Sequence, residues 1–120
     1  MTQAILICEP EPYWTPELQR QFLGSPITVR GCRKWSELAE LSRSYEEAVR
    51  VVDFSPVASA CLAGMAAAST SRARQALLLL VSAEAEELEW ALRDGGAEAV
   101  LPDRISAEEL ARFCRRWLES

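Results

Sequence analysis

The sequence predicts an α/β fold in which a doubly wound, five-stranded parallel sheet lies between two helical layers, giving a three-layer sandwich. Three observations carry that expectation. Short apolar runs at Ala4–Cys8, Ala48–Val52, Gln75–Val81 and Ala99–Pro102 alternate with longer amphipathic or Ala-rich stretches, the order that parallel crossover units produce. The run at Gln75–Val81, with leucines at all of 77–80, is apolar on both faces, as a strand covered above and below must be. The connections are too short for anything but right-handed crossovers. Such sheets bind or react beyond the carboxyl ends of their strands, so Asp53, closing an apolar strand, marks the expected functional face.

The chain of 120 residues matches one domain with one core, and 49% hydrophobic with 26% charged residues is the composition of a globular protein that folds unaided. A net charge of −5 argues against a phosphate-tracking surface, so no nucleic-acid binding is expected of this domain alone. The longest apolar run falls well short of the roughly 20 residues that span a bilayer. Met1-Thr2-Gln3-Ala4 carries no basic region ahead of the first strand, so neither a signal peptide nor a membrane association is expected, and the cytoplasm is the expected location. Histidine is absent, and cysteines 8, 32, 61 and 114 form no C-x-x-C pair. Most zinc chemistry, Ser/His and Cys/His catalysis and a phosphohistidine relay are thereby excluded; the cysteines read as reduced core thiols.

In chain order, Ala4–Cys8 is the first strand, stopped by Glu9-Pro10-Glu11-Pro12. Thr15 can cap a helix that has Pro16 at its first position, runs to Leu23 and ends at Gly24. Ile27–Val29 reads as the second strand. Ser36 can cap the next helix, with Leu38 and Leu41 on one face. Ala48–Val52 is the third strand, leading into Asp53 and a turn at Ser55-Pro56. Val57–Arg72, rich in Ala and Ser, is the third helix. Gln75–Val81 ends at Ser82. Glu84–Asp94 places Leu88, Ala91 and Leu92 on one stripe and is broken by Gly95-Gly96. After the strand Ala99–Pro102, Ser106-Ala107-Glu108-Glu109 is a capping box that opens a helix whose Leu110, Phe113, Cys114 and Trp117 recur at helical spacing. Arg112, Arg115 and Arg116 suit that helix's C-terminal dipole.

Three strand ends thus carry reactive side chains: Glu9 with Glu11, then Asp53, then Ser82. The runs Ile5-Leu6-Ile7-Cys8-Glu9, Val51-Val52-Asp53-Phe54-Ser55-Pro56, Leu79-Leu80-Val81-Ser82-Ala83 and Ala91-Leu92-Arg93-Asp94-Gly95-Gly96-Ala97 together resemble the receiver (CheY-like, flavodoxin-like) domain of two-component response regulators over essentially the whole chain. The resemblance implies that Asp53 stands at the phosphoacceptor position, that Glu9, Glu11 and Asp53 stand where Mg²⁺ would be held, and that Ser82 stands where a hydroxyl meets a phosphoryl oxygen. A carboxylate that attacks a phosphoryl group needs a cation to neutralise developing charge.

Departures from the family pattern are equally specific. The second acidic position falls on Pro10, with Glu11 displaced. The family's Lys-Pro after the fifth strand falls on Asp103-Arg104, leaving Arg104 as the candidate phosphate cation, and the proline after the acceptor comes one residue early, at Pro56. The expected protein is therefore a degenerate or pseudo-receiver without enzymatic activity. It needs no cofactor unless phosphorylation, and with it Mg²⁺, is retained. It would bind a protein partner through the helix at 84–94, the strand at 99–102 and the C-terminal helix, and a histidine kinase or a second copy of the chain could also engage it.

Alternatives remain at several residues. Asp53 can cap a nearby N–H, Glu9 and Glu11 can be solvated loop acids, and Ser82 can cap the helix that follows it. At the level of function, a working receiver phosphorylated on Asp53 is the alternative. A small nucleotide-binding or enzymatic α/β domain lacks any G-x-G-x-x-G or P-loop signature in its support.

Overall fold

The computed structural model describes residues 3–54 and 75–119. Strands β1 (Gln3–Cys8), β2 (Thr28–Cys32), β3 (Glu47–Asp53), β4 (Gln75–Val81) and β5 (Ala99–Pro102) form one sheet in the order β2-β1-β3-β4-β5, with every adjacent pair parallel. The expected α/β class and five-stranded parallel sheet are what the chain adopts. Helices α1 (Trp14–Gln21), α2 (Trp35–Ser42), α3 (Glu89–Asp94) and α4 (Ala107–Glu119) cover it, and a 3₁₀ turn over Ala83–Leu88 precedes α3. The helix expected over 57–72 lies outside the described residues.

Alternation along the strands divides the core into two layers. Ile5, Ile7, Val49, Val51, Leu78 and Leu80 pack against Trp14 and Leu18 of α1 and Leu110, Cys114 and Leu118 of α4. Leu6, Cys8, Val52, Leu77 and Leu79 pack on the other face against Leu38 of α2 and Leu92 of α3. β4 is buried at every position, and each buried leucine contributes about 1.5–3 kcal/mol relative to exposure. β2 is the edge strand and stays largely exposed. No helix among the described residues is long and apolar enough to cross a membrane.

Several local expectations give way to tertiary contacts. α1 starts one residue before Thr15 and is preceded by Tyr13, which makes no side-chain cap; the capping groups come from outside the helix. Gly24 does take a left-handed φ of 80°, which favours glycine, but only after a further turn. β2 runs on to Cys32, where the sequence suggested an end at Val29, because Gly31 and Cys32 pair with Ile7 and Cys8. Ser36 falls inside α2, whose preceding residue is Lys34. The stripe expected for 84–94 is broken: Ala85 and Leu92 are buried while Leu88 is 40% exposed, since the 3₁₀ turn shifts each side chain off the α-helical period.

α4 begins as its capping box predicts, with the Glu109 N–H donating to Ser106 Oγ at 3.1 Å. Its buried face uses Leu118 in place of Trp117, which is 38% exposed. Arg115 reaches across to α1, where its Nη2 donates to the Gln21 carbonyl at 2.9 Å and its guanidinium lies 4.7 Å from the Phe22 ring centroid. That arginine joins two helices in addition to compensating a dipole.

Candidate functional site

The carboxyl ends of β1, β3 and β5 surround an open pocket of about 460 Å³ lined by Glu9, Pro10, Glu11, Tyr13, Trp14, Asp53, Asp103, Arg104 and Ile105. β3 delivers Asp53 there because its last residues stay in register with β4: Asp53 pairs with Leu80, and the next residue, Phe54, donates its N–H to the Leu80 carbonyl at 3.0 Å and buries its ring. The chain after β5 turns back in the same way, with the Asp103 N–H donating to the Val81 carbonyl at 2.8 Å. Two strand ends thereby place two carboxylates on one cavity.

Asp53 is half-buried, and among the described residues no group donates a hydrogen bond to its carboxylate. Burial, followed by repulsion from Asp103 and Glu9, holds its carboxyl above the usual aspartate range. Desolvation and like charge both disfavour the ionised form. A capping role for Asp53 has no donor among the described residues.

Glu9 departs most from expectation. Only 4% exposed, it turns inward beneath the start of α1 and is no solvated loop acid. Its Oε1 accepts the N–H groups of Tyr13 at 3.0 Å and Trp14 at 2.9 Å; its Oε2 accepts the Thr15 N–H at 2.9 Å and the Thr15 hydroxyl at 2.7 Å. These are the N–H groups that a helix start leaves without intrahelical partners, and a negative charge there also meets the positive end of the helix dipole. Gly31 makes room for this arrangement, since a Cβ at that position would strike the Thr15 side chain.

The same geometry decides whether the residues fit Mg²⁺. A hard cation needs carboxylate oxygens with lone pairs directed at it, whereas both oxygens of Glu9 already accept two hydrogen bonds each. Glu11 is exposed on the loop, and among the described residues no three acidic, cysteine or histidine side chains are grouped to hold a metal ion. Glu9, Glu11 and Asp53 share the pocket without forming a metal-binding set.

The two candidate phosphate-contacting residues are drawn elsewhere. Arg104 lines the pocket, but its Nη2 is paired with Glu86 Oε1 at 2.7 Å, on the 3₁₀ turn. Ser82 precedes that turn without a side-chain cap; its carbonyl accepts the Ala85 N–H at 3.0 Å. It does not line the pocket. The structure therefore brings Asp53, Glu9, Glu11 and Arg104 to one cavity, without Ser82 in its lining. Sequence reasoning missed Thr15 as a partner of Glu9, because a cap supplied six residues upstream matches no local capping pattern.

No protein-family model matches the sequence, and no curated protein does. Solved structures do match its fold. The receiver domain of the TMAO respiratory system response regulator TorR superposes with a TM-score of 0.82 at 18% identity, over 98% of this chain and 97% of that one. The BeF3-activated DrrB receiver domain gives 0.79 at 14% identity over 100% of both chains. The receiver domain of the Francisella response regulator 1452 gives 0.77 at 14% identity, covering 97% of this chain and 96% of that one. Identities so low speak for architecture alone, and on that ground the chain has the fold of response-regulator receiver domains.

Proposed function

We propose that the chain is an atypical receiver in a two-component or phosphorelay system, with aspartyl phosphorylation weakened or lost, acting through protein–protein contact and not as an enzyme. The observation that supports this reading best is the commitment of Glu9 to α1: an acid at the family's metal position is engaged by four donors. The acidic surroundings of Asp53 support the same reading: Asp103, at the position the receiver resemblance gives to a lysine, shares its pocket, and Arg104 is paired with Glu86. A phosphate on Asp53 would add negative charge to a site already short of positive charge.

The partner surface in this reading comprises the segment at 84–94, β5 and α4, which together display Leu88, Trp90 and Trp117; Trp90 is 74% exposed. Aromatic anchors of this kind dominate protein interfaces. A histidine kinase, another protein of the same pathway or a second copy of the chain would dock there, in the cytoplasm. Mg²⁺ plays no part in that docking.

The test uses a phosphate mimic of the kind bound in the DrrB structure. Addition of Mg²⁺ and beryllofluoride to the isotope-labelled chain is expected to leave the amide signals around Asp53 and Ser82 unmoved. Saturable shifts at those residues would overturn the proposal and establish Asp53 as a working acceptor.

A further inference from the structure

Away from the acidic pocket, the two strands at the β2 edge both finish in cysteine. Cys8 closes β1 and Cys32 closes β2, and the register pairs them directly. Directly paired residues on adjacent parallel strands have Cα atoms on the order of 4.8 Å apart, inside the roughly 4.4–6.8 Å range across which a disulfide forms. Both side chains leave the sheet on the α2 face, where Cys8 is buried in the core and Cys32 packs against it.

The two sulfurs differ in access. Cys8 is 4% exposed, whereas Cys32 is half-buried and lines a second pocket of about 210 Å³ with Glu9, Pro12, Thr15, Gly31 and Arg33. Arg33 and Lys34 follow it directly, and its Sγ lies 3.7 Å from the Lys34 carbonyl oxygen. The hydrogen bond from Cys8 pulls the Cys32 thiol below its usual value, against burial and the Glu37 charge. Cys114, by contrast, is wholly buried and pushed up to about 12. Low thiol pKa, access and a resolving thiol in contact are the features that select a cysteine for oxidation.

We propose that Cys8 and Cys32 form a hydroperoxide-responsive pair that closes to an intramolecular disulfide, with Cys32 as the attacking thiol and Cys8 as the resolving one. The Cys32 thiol gives up its proton, its thiolate attacks one peroxide oxygen, the O–O bond breaks, and Cys32 becomes a sulfenic acid while the other oxygen leaves as hydroxide that takes up that proton as water. The Cys8 sulfur then attacks the Cys32 sulfur, an S–S bond forms, the S–O bond breaks, and the released hydroxyl takes the Cys8 proton as water. Two thiols lose two electrons in all, and hydrogen peroxide is reduced to two waters. The bond fastens the edge strand to the sheet beside the pocket that holds Thr15 and Glu9. This chemistry stands apart from whether Asp53 accepts a phosphoryl group.

The sequence makes the test direct. Tryptic cleavage after Arg20, Arg30 and Arg33 puts Cys8 in the peptide 1–20 and Cys32 in the peptide 31–33, with Cys61 and Cys114 in others. The reduced chain is treated with hydrogen peroxide, quenched with an alkylating reagent and digested without reductant. A disulfide joining 1–20 to 31–33 within one chain is expected, and it should persist in Cys61→Ser and disappear in Cys32→Ser with Cys8 recovered alkylated. Linkage of Cys8 to Cys61, linkage between two chains, or Cys32 oxidised to sulfinic acid beside an intact Cys8 thiol would overturn the proposal, as would recovery of both thiols alkylated. If a variant fails to fold, the peptide map of the unsubstituted chain still decides the matter.

Discussion

Asp53 shows how a residue's position and its chemistry can be legible to different degrees. Its place at the end of β3 follows from an apolar run closed by an acid, and the structure puts it on the carboxyl-edge pocket. What surrounds it depends on where other strands end, and Glu9 could not be read from a capping motif because its four donors lie four to six residues downstream, a spacing no such motif covers. The raised pKa of Asp53 has a consequence for stability. A carboxyl that holds its proton more tightly in the folded chain than in the unfolded one loses stability as pH rises from the ordinary aspartate range through the raised folded value. Asp53→Asn is therefore expected to stabilise the protein at pH 7, by about 1 kcal/mol or less once solvent screening of a half-exposed group is allowed for. The difference should vanish below pH of about 3, where both states are protonated. Urea denaturation at the two pH values checks this, and an equal effect at both would contradict it.

At the scale of elements, α1 illustrates a helix held from outside. Eight residues with a threonine and a proline in the first turn make a marginal helix alone, and Glu9 satisfies its leading N–H groups. Glu9→Gln would keep one acceptor oxygen, replace the other with a donor and remove the charge. Charge-assisted hydrogen bonds are lost and buried N–H groups left unsatisfied, which costs about 2–3 kcal/mol. A lower urea midpoint with protection lost first from the amides of residues 13–15 is the expected readout. β4 and α4 were legible because burial on both faces and a capping box are local signals. The end of β2 and the 3₁₀ turn at Ala83–Leu88 were not, since strand pairing at Gly31 and packing of Ala85 arise only in the assembled sheet.

For the whole molecule, the architecture was legible because alternation of strand and helix leaves few ways to build a parallel sheet, and the order β2-β1-β3-β4-β5 is one of them. The surface is less determined by such rules. Helical spacing from Leu110 leaves Trp117 open as a core or a docking aromatic, and in the structure Leu118 fills the core while Trp117 stays 38% exposed. Trp90, 74% exposed, is the aromatic that the surface displays most fully. Trp90→Ala is expected to change stability by no more than about 0.5 kcal/mol. Thermal denaturation of the variant tests this, and a large drop in midpoint would show that Trp90 is structural.

The inward turn of Glu9 also bears on how this chain can change over generations. An acid introduced at Pro10 would add a carboxylate to the pocket, but Glu9 would still be bound beneath α1. Releasing Glu9 first would unseat the helix before any cation could compensate. Either exchange alone therefore leaves Glu9 turned away from the pocket or α1 without its cap, because one carboxylate cannot face both at once.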